Sequence, residues 1–155
     1  VYEYPNVSWR WKVENVFEKG DAEKKSGDDY PIRIYVVFKY DPDKVGFGTR
    51  LKYKAAKLVY GEYPPAASLN YIWANKEHDK AIITSPYADE VKLIPVSSGK
   101  KELGTWREYR INILEDFKKA FGKEPNKTAS IIIMSDSDNT EEKSTAFIDF
   151  VKVFR

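Results

Sequence analysis

The strongest constraint in this chain is a two-residue rhythm. Val7, Trp9, Trp11 and Val13 alternate with Ser8, Arg10 and Lys12. Successive strand side chains point to opposite faces, so the segment reads as a half-buried strand with its large side chains in the core. Pro31 to Tyr40 (PIRIYVVFKY) is the strongest strand signal and ends in a turn at Asp41-Pro42-Asp43. Further strands are predicted at Ser68 to Asn75, Glu90 to Val96, Thr105 to Ile113, Ala129 to Met134 and Thr145 to Phe154, with a short one at Ile82 to Thr84. The polar stretch Glu18 to Asp29 reads as a long solvated loop.

Two segments break the rhythm. Leu51, Ala55, Leu58 and Val59 fall at helical spacing, with Thr49 as N-cap, Gly61 beyond the end and Pro64-Pro65 forbidding continuation. A second helix runs from about Ile113 to Phe121. Asn112 and Glu115 are spaced as a capping pair, and Gly122 and Pro125 end it. Seven or more strands with two short helices and no βαβ alternation predict a mainly β fold, an antiparallel β-sandwich or jelly roll. The 155 residues make one domain, 1–155, large enough to bury about 70% of its unfolded surface.

Composition removes whole classes of chemistry. No cysteine is present and only one histidine, His78, so thiol catalysis, Cys-ligated zinc and paired-histidine metal sites are excluded. Twenty-six basic and twenty-four acidic side chains leave +2, which argues against a nucleic-acid footprint. No apolar run reaches the length of a membrane span. Glutamine is absent, methionine occurs once, and lysine and glutamate dominate the charge, a pattern of heat-adapted chains.

Three groups of residues carry candidate chemistry. Along Trp106 to Ile113, alternation puts Arg107, Tyr109, Ile111 and Ile113 on the core face and Trp106, Glu108, Arg110 and Asn112 on the other. An indole beside a carboxylate, a guanidinium and an amide is suited to gripping a sugar or polar polymer, because rings stack on apolar sugar faces while planar polar groups fix orientation. Arg33, Tyr35 and Asn70 join this set if their strands neighbour it. Asp28 and Asp29, in Gly27-Asp28-Asp29-Tyr30, are either Asx-turn residues or carboxylates aimed with Arg33 into one polar face. The third group lies in Ser135-Asp136-Ser137-Asp138-Asn139-Thr140. There Asp136, Asp138 and Asn139 offer hard oxygen donors for a structural calcium, although side-chain to backbone hydrogen bonds explain such a loop equally well.

Taken in order, Ser8 to Val13, Gly27 to Tyr30 with Arg33 to Phe38, Leu69 to Ala74, Phe121 to Pro125 and Met134 to Thr140 resemble a bacterial family. It is the domain of unknown function numbered three-zero-four-seven, and the likeness spans nearly the whole chain. The resemblance implies an exported protein with a jelly-roll-like fold and no established activity. It also implies a stretch upstream of the Trp-x-Trp strand; where that stretch supplies a strand, the sheet here has an open edge, a template for strand addition.

The function expected first is a non-catalytic, extracytoplasmic binding module for a glycan or other polar ligand. The alternatives are a structural or assembly subunit of the cell envelope joined by homotypic or heterotypic strand pairing, and a glycoside hydrolase or lyase using Asp28, Asp29 or Glu108. The first requires at least one tryptophan exposed beside Arg or Glu.

Overall fold

The computed structural model describes residues 1–61 and 63–155, with all their side chains except those of Lys44, Val59 and Tyr60. In chain order the strands are β1 (Asn6–Val13), β2 (Arg33–Phe38), β3 (Ala67–Ala74), β4 (Ile83–Thr84), β5 (Val91–Ser98), β6 (Arg107–Asn112), β7 (Ala129–Met134) and β8 (Ala146–Phe154). Helix α1 (Phe47–Tyr60) lies between β2 and β3, and α2 (Ile113–Phe121) between β6 and β7. The strands form a three-stranded sheet, ordered β6-β1-β8, and a five-stranded sheet, ordered β4-β5-β3-β2-β7.

Alternation builds the core as expected. Val7, Trp9, Trp11 and Val13 of β1 are fully buried, facing Ile34, Val36 and Phe38 of β2 and Leu69, Tyr71 and Trp73 of β3. The Trp9 ring lies 5.4 Å from Trp11, 5.5 Å from Tyr71 and 5.5 Å from Tyr109, so one aromatic cluster joins the two sheets. Helix α2 closes one end. Asn112 caps it by accepting from the Leu114 and Glu115 N–H groups, and Gly122 ends it in the left-handed conformation. Phe117 packs on Phe38 at 4.4 Å, and the Tyr71 hydroxyl donates to Asp116 at 3.0 Å.

The structure departs from the sequence reading in three places. All strand pairs are antiparallel except β3 and β5, which run parallel in one sheet because β4 and its flanking turns make the crossover. Helix α1 starts earlier than expected, with Gly46 rather than Thr49 at its N-cap, and it ends at Gly61 as predicted. The side chain of Val59, one of the residues that predicted this helix, lies outside the described ones.

The stretch from Glu18 to Asp29 is not simply solvated. It folds over the outer face of the five-stranded sheet, where Ala22 and Tyr30 bury Ile72, Ala74, Ile83 and Leu93 in a second small core. Ile72 and Ala74 are the outward residues of a central strand and need this cover. Asn75 pins the segment: its Oδ1 accepts from the Phe17 N–H at 2.9 Å, and its Nδ2 donates to the Asp29 carbonyl at 2.6 Å.

Gly27 is where this segment crosses itself. A Cβ there would lie 2.5 Å from the backbone nitrogen of Asp21, which donates to the Gly27 carbonyl at 2.8 Å. Backbone cannot step aside as a side-chain tip can. Gly27→Ala should therefore destabilise by about 1–3 kcal/mol, the usual cost of overpacking, read as a lower urea midpoint; an unchanged midpoint would show that the crossing is loose.

Candidate functional site

The eight candidate binding residues do not form one site. Trp106, Glu108 and Arg110 lie on the outer face of the three-stranded sheet, whereas Arg33, Tyr35, Asn70, Asp28 and Asp29 belong to the five-stranded sheet and its loops. Their strands are in different layers of the sandwich, so the condition on which Arg33, Tyr35 and Asn70 would join the Trp106 face is not met. Local alternation assigns a face within a strand and is silent on which strands become neighbours.

The outer face of the three-stranded sheet is open. Trp106, immediately before β6, is 38% exposed, while the other three indoles are fully buried. β1 runs down the middle, with Arg10 opposite Glu108 and Ser8 opposite Arg110. The Arg10 guanidinium lies 5.1 Å from the Trp106 ring centre, and the Lys12 ammonium 4.8 Å from Phe147. Arg110 stands over Phe154 and Lys152 over Phe150, each at 4.5 Å. Arg10 pairs with Asp149 on β8 at 3.4 Å. Among the described residues, Glu108 makes no ion pair.

Exposed cation–aromatic contacts contribute about 0.5–1 kcal/mol and exposed ion pairs no more. These contacts fix side-chain positions more than they stabilise the fold. The result is a platform of aromatic rings edged by guanidinium, ammonium and carboxylate groups. Sequence reasoning missed Arg10, Lys12, Phe147, Phe150, Phe154 and Lys152 as members. Alternation does place Arg10 and Lys12 on the wet face of β1, but nothing local says that β1 and β8 flank Trp106.

The second group is a buried ionic knot. Arg33 is 4% exposed and pairs with Asp136 and, at 3.6 Å, with Asp28. The Tyr30 hydroxyl donates to Asp28 at 3.0 Å, and the Tyr30 and Tyr35 rings each lie 5.0 Å from the guanidinium. Asp29 accepts from the Asn139 N–H and Nδ2, both at 3.1 Å, and from the Thr140 N–H at 2.6 Å. Residues 28–29, 33 and 136–140, far apart in the chain, are thereby tied together. Asn70 is buried beside Tyr35 in the sheet register, and its Oδ1 has no partner among the described residues. Tyr35 alone of the five lines a cleft, of about 480 Å³, between this sheet and α1.

The environments push the carboxyls in opposite directions. Burial raises Asp136 to about 6 despite the opposing pull of Arg33, and burial raises Asp28 as well. Burial also acts to raise Asp29, but the donors from Thr140 and Asn139 outweigh it and hold that carboxyl below its ordinary value. Tyr35 is pushed up to about 12 by burial.

One oxygen each from Asp29, Asp136 and Asp138 lies within 4.8 Å of the others. Of the three predicted donors Asp136, Asp138 and Asn139, the two carboxylates are thus joined by Asp29. The Asn139 side chain is engaged by two other segments, donating to Asp29 and accepting from the Tyr87 hydroxyl at 3.2 Å. A calcium ion, which takes six to eight oxygens, would share Asp136 with Arg33 and Asp29 with its N–H donors.

The fold is a two-layer β-sandwich with an open aromatic face and a loop knot, an architecture that sets no function by itself. A family model described as protein of unknown function (DUF3047) matches residues 1–152, and the chain belongs to that family. No curated protein and no solved structure matches it.

The raised Asp136 carboxyl has a consequence for stability. Its folded value of about 6 exceeds the unfolded value near 3.9, so the folded state holds the proton more tightly. Its contribution is fully present below about pH 4 and is lost as pH rises through 6. Asp136→Asn should therefore compare more favourably with wild type at pH 7 than at pH 4.5 in urea unfolding. The opposite trend would mean that the Arg33 pairing dominates.

Proposed function

We propose that this protein is a non-catalytic binding module for a glycan or similar polar polymer, acting outside the cytoplasm, with the outer face of the three-stranded sheet as its binding surface. The observation that carries the reading is the exposed Trp106, held beside Arg10 and followed on the same face by Glu108 and Arg110. Trp106 would stack on an apolar sugar face, while Glu108 accepts from hydroxyls and Arg110 donates to them. The face has no walls, which favours an extended polymer over an enclosed small molecule.

The carboxylates invoked for a hydrolase or lyase give that alternative less support. Glu108 lies in the other sheet from Asp28 and Asp29, Asp28 is paired with Arg33, and both Asp29 oxygens accept from the 139–140 loop. Calcium at Asp29, Asp136 and Asp138 belongs to the proposal as a structural element, and a melting temperature raised by calcium and lowered by chelator would support it.

A second reading, assembly by strand addition, is favoured by β7. Among the described residues this strand pairs only with β2; it carries no charged residue and leaves Ile132 and Ile133 about half exposed. The other edge strand on that side, β8, carries Asp149 and Lys152, the kind of residues that discourage edge pairing. Light scattering would show a concentration-dependent dimer abolished by Ile132→Lys if β7 is an assembly edge, and a monomer throughout if it is not.

For the binding reading, affinity electrophoresis through soluble polysaccharides should give retardation by at least one of them. Trp106→Ala should weaken it at least tenfold with little change in melting temperature, and Trp106→Phe should retain part of it. Wild-type protein retarded by none of a broad panel, or equal binding by Trp106→Ala, would overturn the reading.

A further inference from the structure

Helix α1 presents two unlike sides. On its inner side the Tyr53 ring stacks on Tyr40 at 3.9 Å, and the Tyr53 hydroxyl donates to the Pro65 carbonyl at 3.0 Å. Tyr53, Lys52 and Ala56 form one wall of the cleft whose opposite wall is Tyr35, Ile132 and Met134 on the outer face of the five-stranded sheet. Arg50 holds the helix start by donating twice to the Pro42 carbonyl, at 3.1 and 2.7 Å.

On the outer side, Phe47 is 83%, Leu51 59% and Leu58 88% exposed. At 3.6 residues per turn these three fall within an arc of about 40°, nearly opposite Tyr53. Lys54 lies beside this stripe, with Arg50 and Lys57 further round the same flank; on the other flank come Ala55 and Gly48, and then Lys52 at the rim of the cleft. No Asp or Glu occurs anywhere in the helix, not even in the first turn, where the helix dipole would favour one.

Single exposed apolar residues are ordinary, but three large ones on one face of a helix whose charged residues are all cations call for a cover that is both apolar and negative. A nucleic acid satisfies the cations and leaves Phe47, Leu51 and Leu58 in water. An acidic protein would have to match a convex stripe with its own apolar groove. The interface of an anionic bilayer meets both requirements, accepting apolar side chains at the acyl boundary and cations at the headgroups. The 14-residue helix is about 21 Å long, and no described helix is long and apolar enough to cross a membrane, so it would lie in the interface plane.

We propose that α1 is a membrane-surface element that seats this domain on an anionic lipid bilayer through Phe47, Leu51 and Leu58, with Lys54 at the headgroups and Lys52 and Lys57 reaching toward them from the two flanks. The helix stands across the cleft from part of the outer face of the five-stranded sheet, and Trp106 lies on the outer face of the other sheet. Seating on the bilayer therefore turns the Trp106 platform away from the lipid. The seat rests on α1 alone and stands whether or not that platform binds a glycan.

The test is cosedimentation with large vesicles of phosphatidylcholine, with and without one-third phosphatidylglycerol. The wild-type chain should pellet with the anionic vesicles, at least tenfold more strongly than with phosphatidylcholine alone, and less in high salt. Leu58→Asp and Lys54→Glu should each reduce the bound fraction severalfold, and both together at least tenfold. Both side chains are exposed, so the variants should melt with wild type; if one does not, Leu58→Ser replaces Leu58→Asp, with the same loss expected. Wild type remaining in the supernatant, equal pelleting with both vesicle types, or undiminished binding by the double variant would overturn the proposal. So would retention on an acidic protein or nucleic acid in the absence of vesicle binding.

Discussion

The packing of Trp9 and Trp11 between Tyr71 and Tyr109 underlies the rest of this structure. Each indole removes about 150–250 Å² from water, which at about 25 cal/mol per Å² contributes roughly 4–6 kcal/mol. Neither Trp9 Nε1 nor Trp11 Nε1 has a hydrogen-bond partner among the described residues, and an unmet buried donor costs about 1–3 kcal/mol. Apolar burial wins for both. Because β1 is the central strand of its sheet, these two rings fix the spacing of the layers. They also fix which side of β1 faces solvent, and so the place of Arg10 and Lys12.

The two outer faces of the sandwich meet different fates for a reason that lies in β3. Its outward residues include Ile72 and Ala74, which cannot stay in water, so residues 18–32 and the turns around β4 fold over them. That cover brings Asp28 and Asp29 to Arg33 and to the 136–140 loop, and most of the polar groups there are satisfied within the protein. The outward residues of β1 and β6 are polar, charged or, before β6, the amphipathic Trp106, and the outward phenylalanines of β8 lie under Lys12, Arg110 and Lys152, so no described segment folds over this face. Their polar groups are left for water or for a ligand. Exposure, more than residue type, separates the platform around Trp106 from the knot around Arg33.

Much of the fold was legible. Apolar runs, bounding turns and, in β1 and β6, period-two alternation located all eight strands to within about two residues, and the Asn112 cap located α2. Alternation in β6 assigned Tyr109 and Ile111 inward against Glu108 and Arg110 outward, but also placed inward Arg107, which is exposed and paired with Glu102. The misses share a cause. The parallel pairing of β3 with β5, the burial of Asp29 and the separation of Arg33 from Trp106 depend on contacts between residues tens of positions apart, which no local period encodes. Asp29 illustrates the limit: its pattern fitted a turn or a reactive carboxylate, and its acceptance of three N–H groups from Asn139 and Thr140 was invisible from either segment alone.

The sequence by itself determined a β-sandwich, the buried side of β1, most of the two sides of β6 and an indole on a wet face, because these follow from backbone geometry and the cost of leaving apolar surface in water. Tertiary structure decided which wet faces adjoin, which charges neutralise one another, and that the exposed stripe of α1 looks away from the Trp106 platform. Those outcomes depend on strand order and layer assignment, which are set by the summed packing of distant segments.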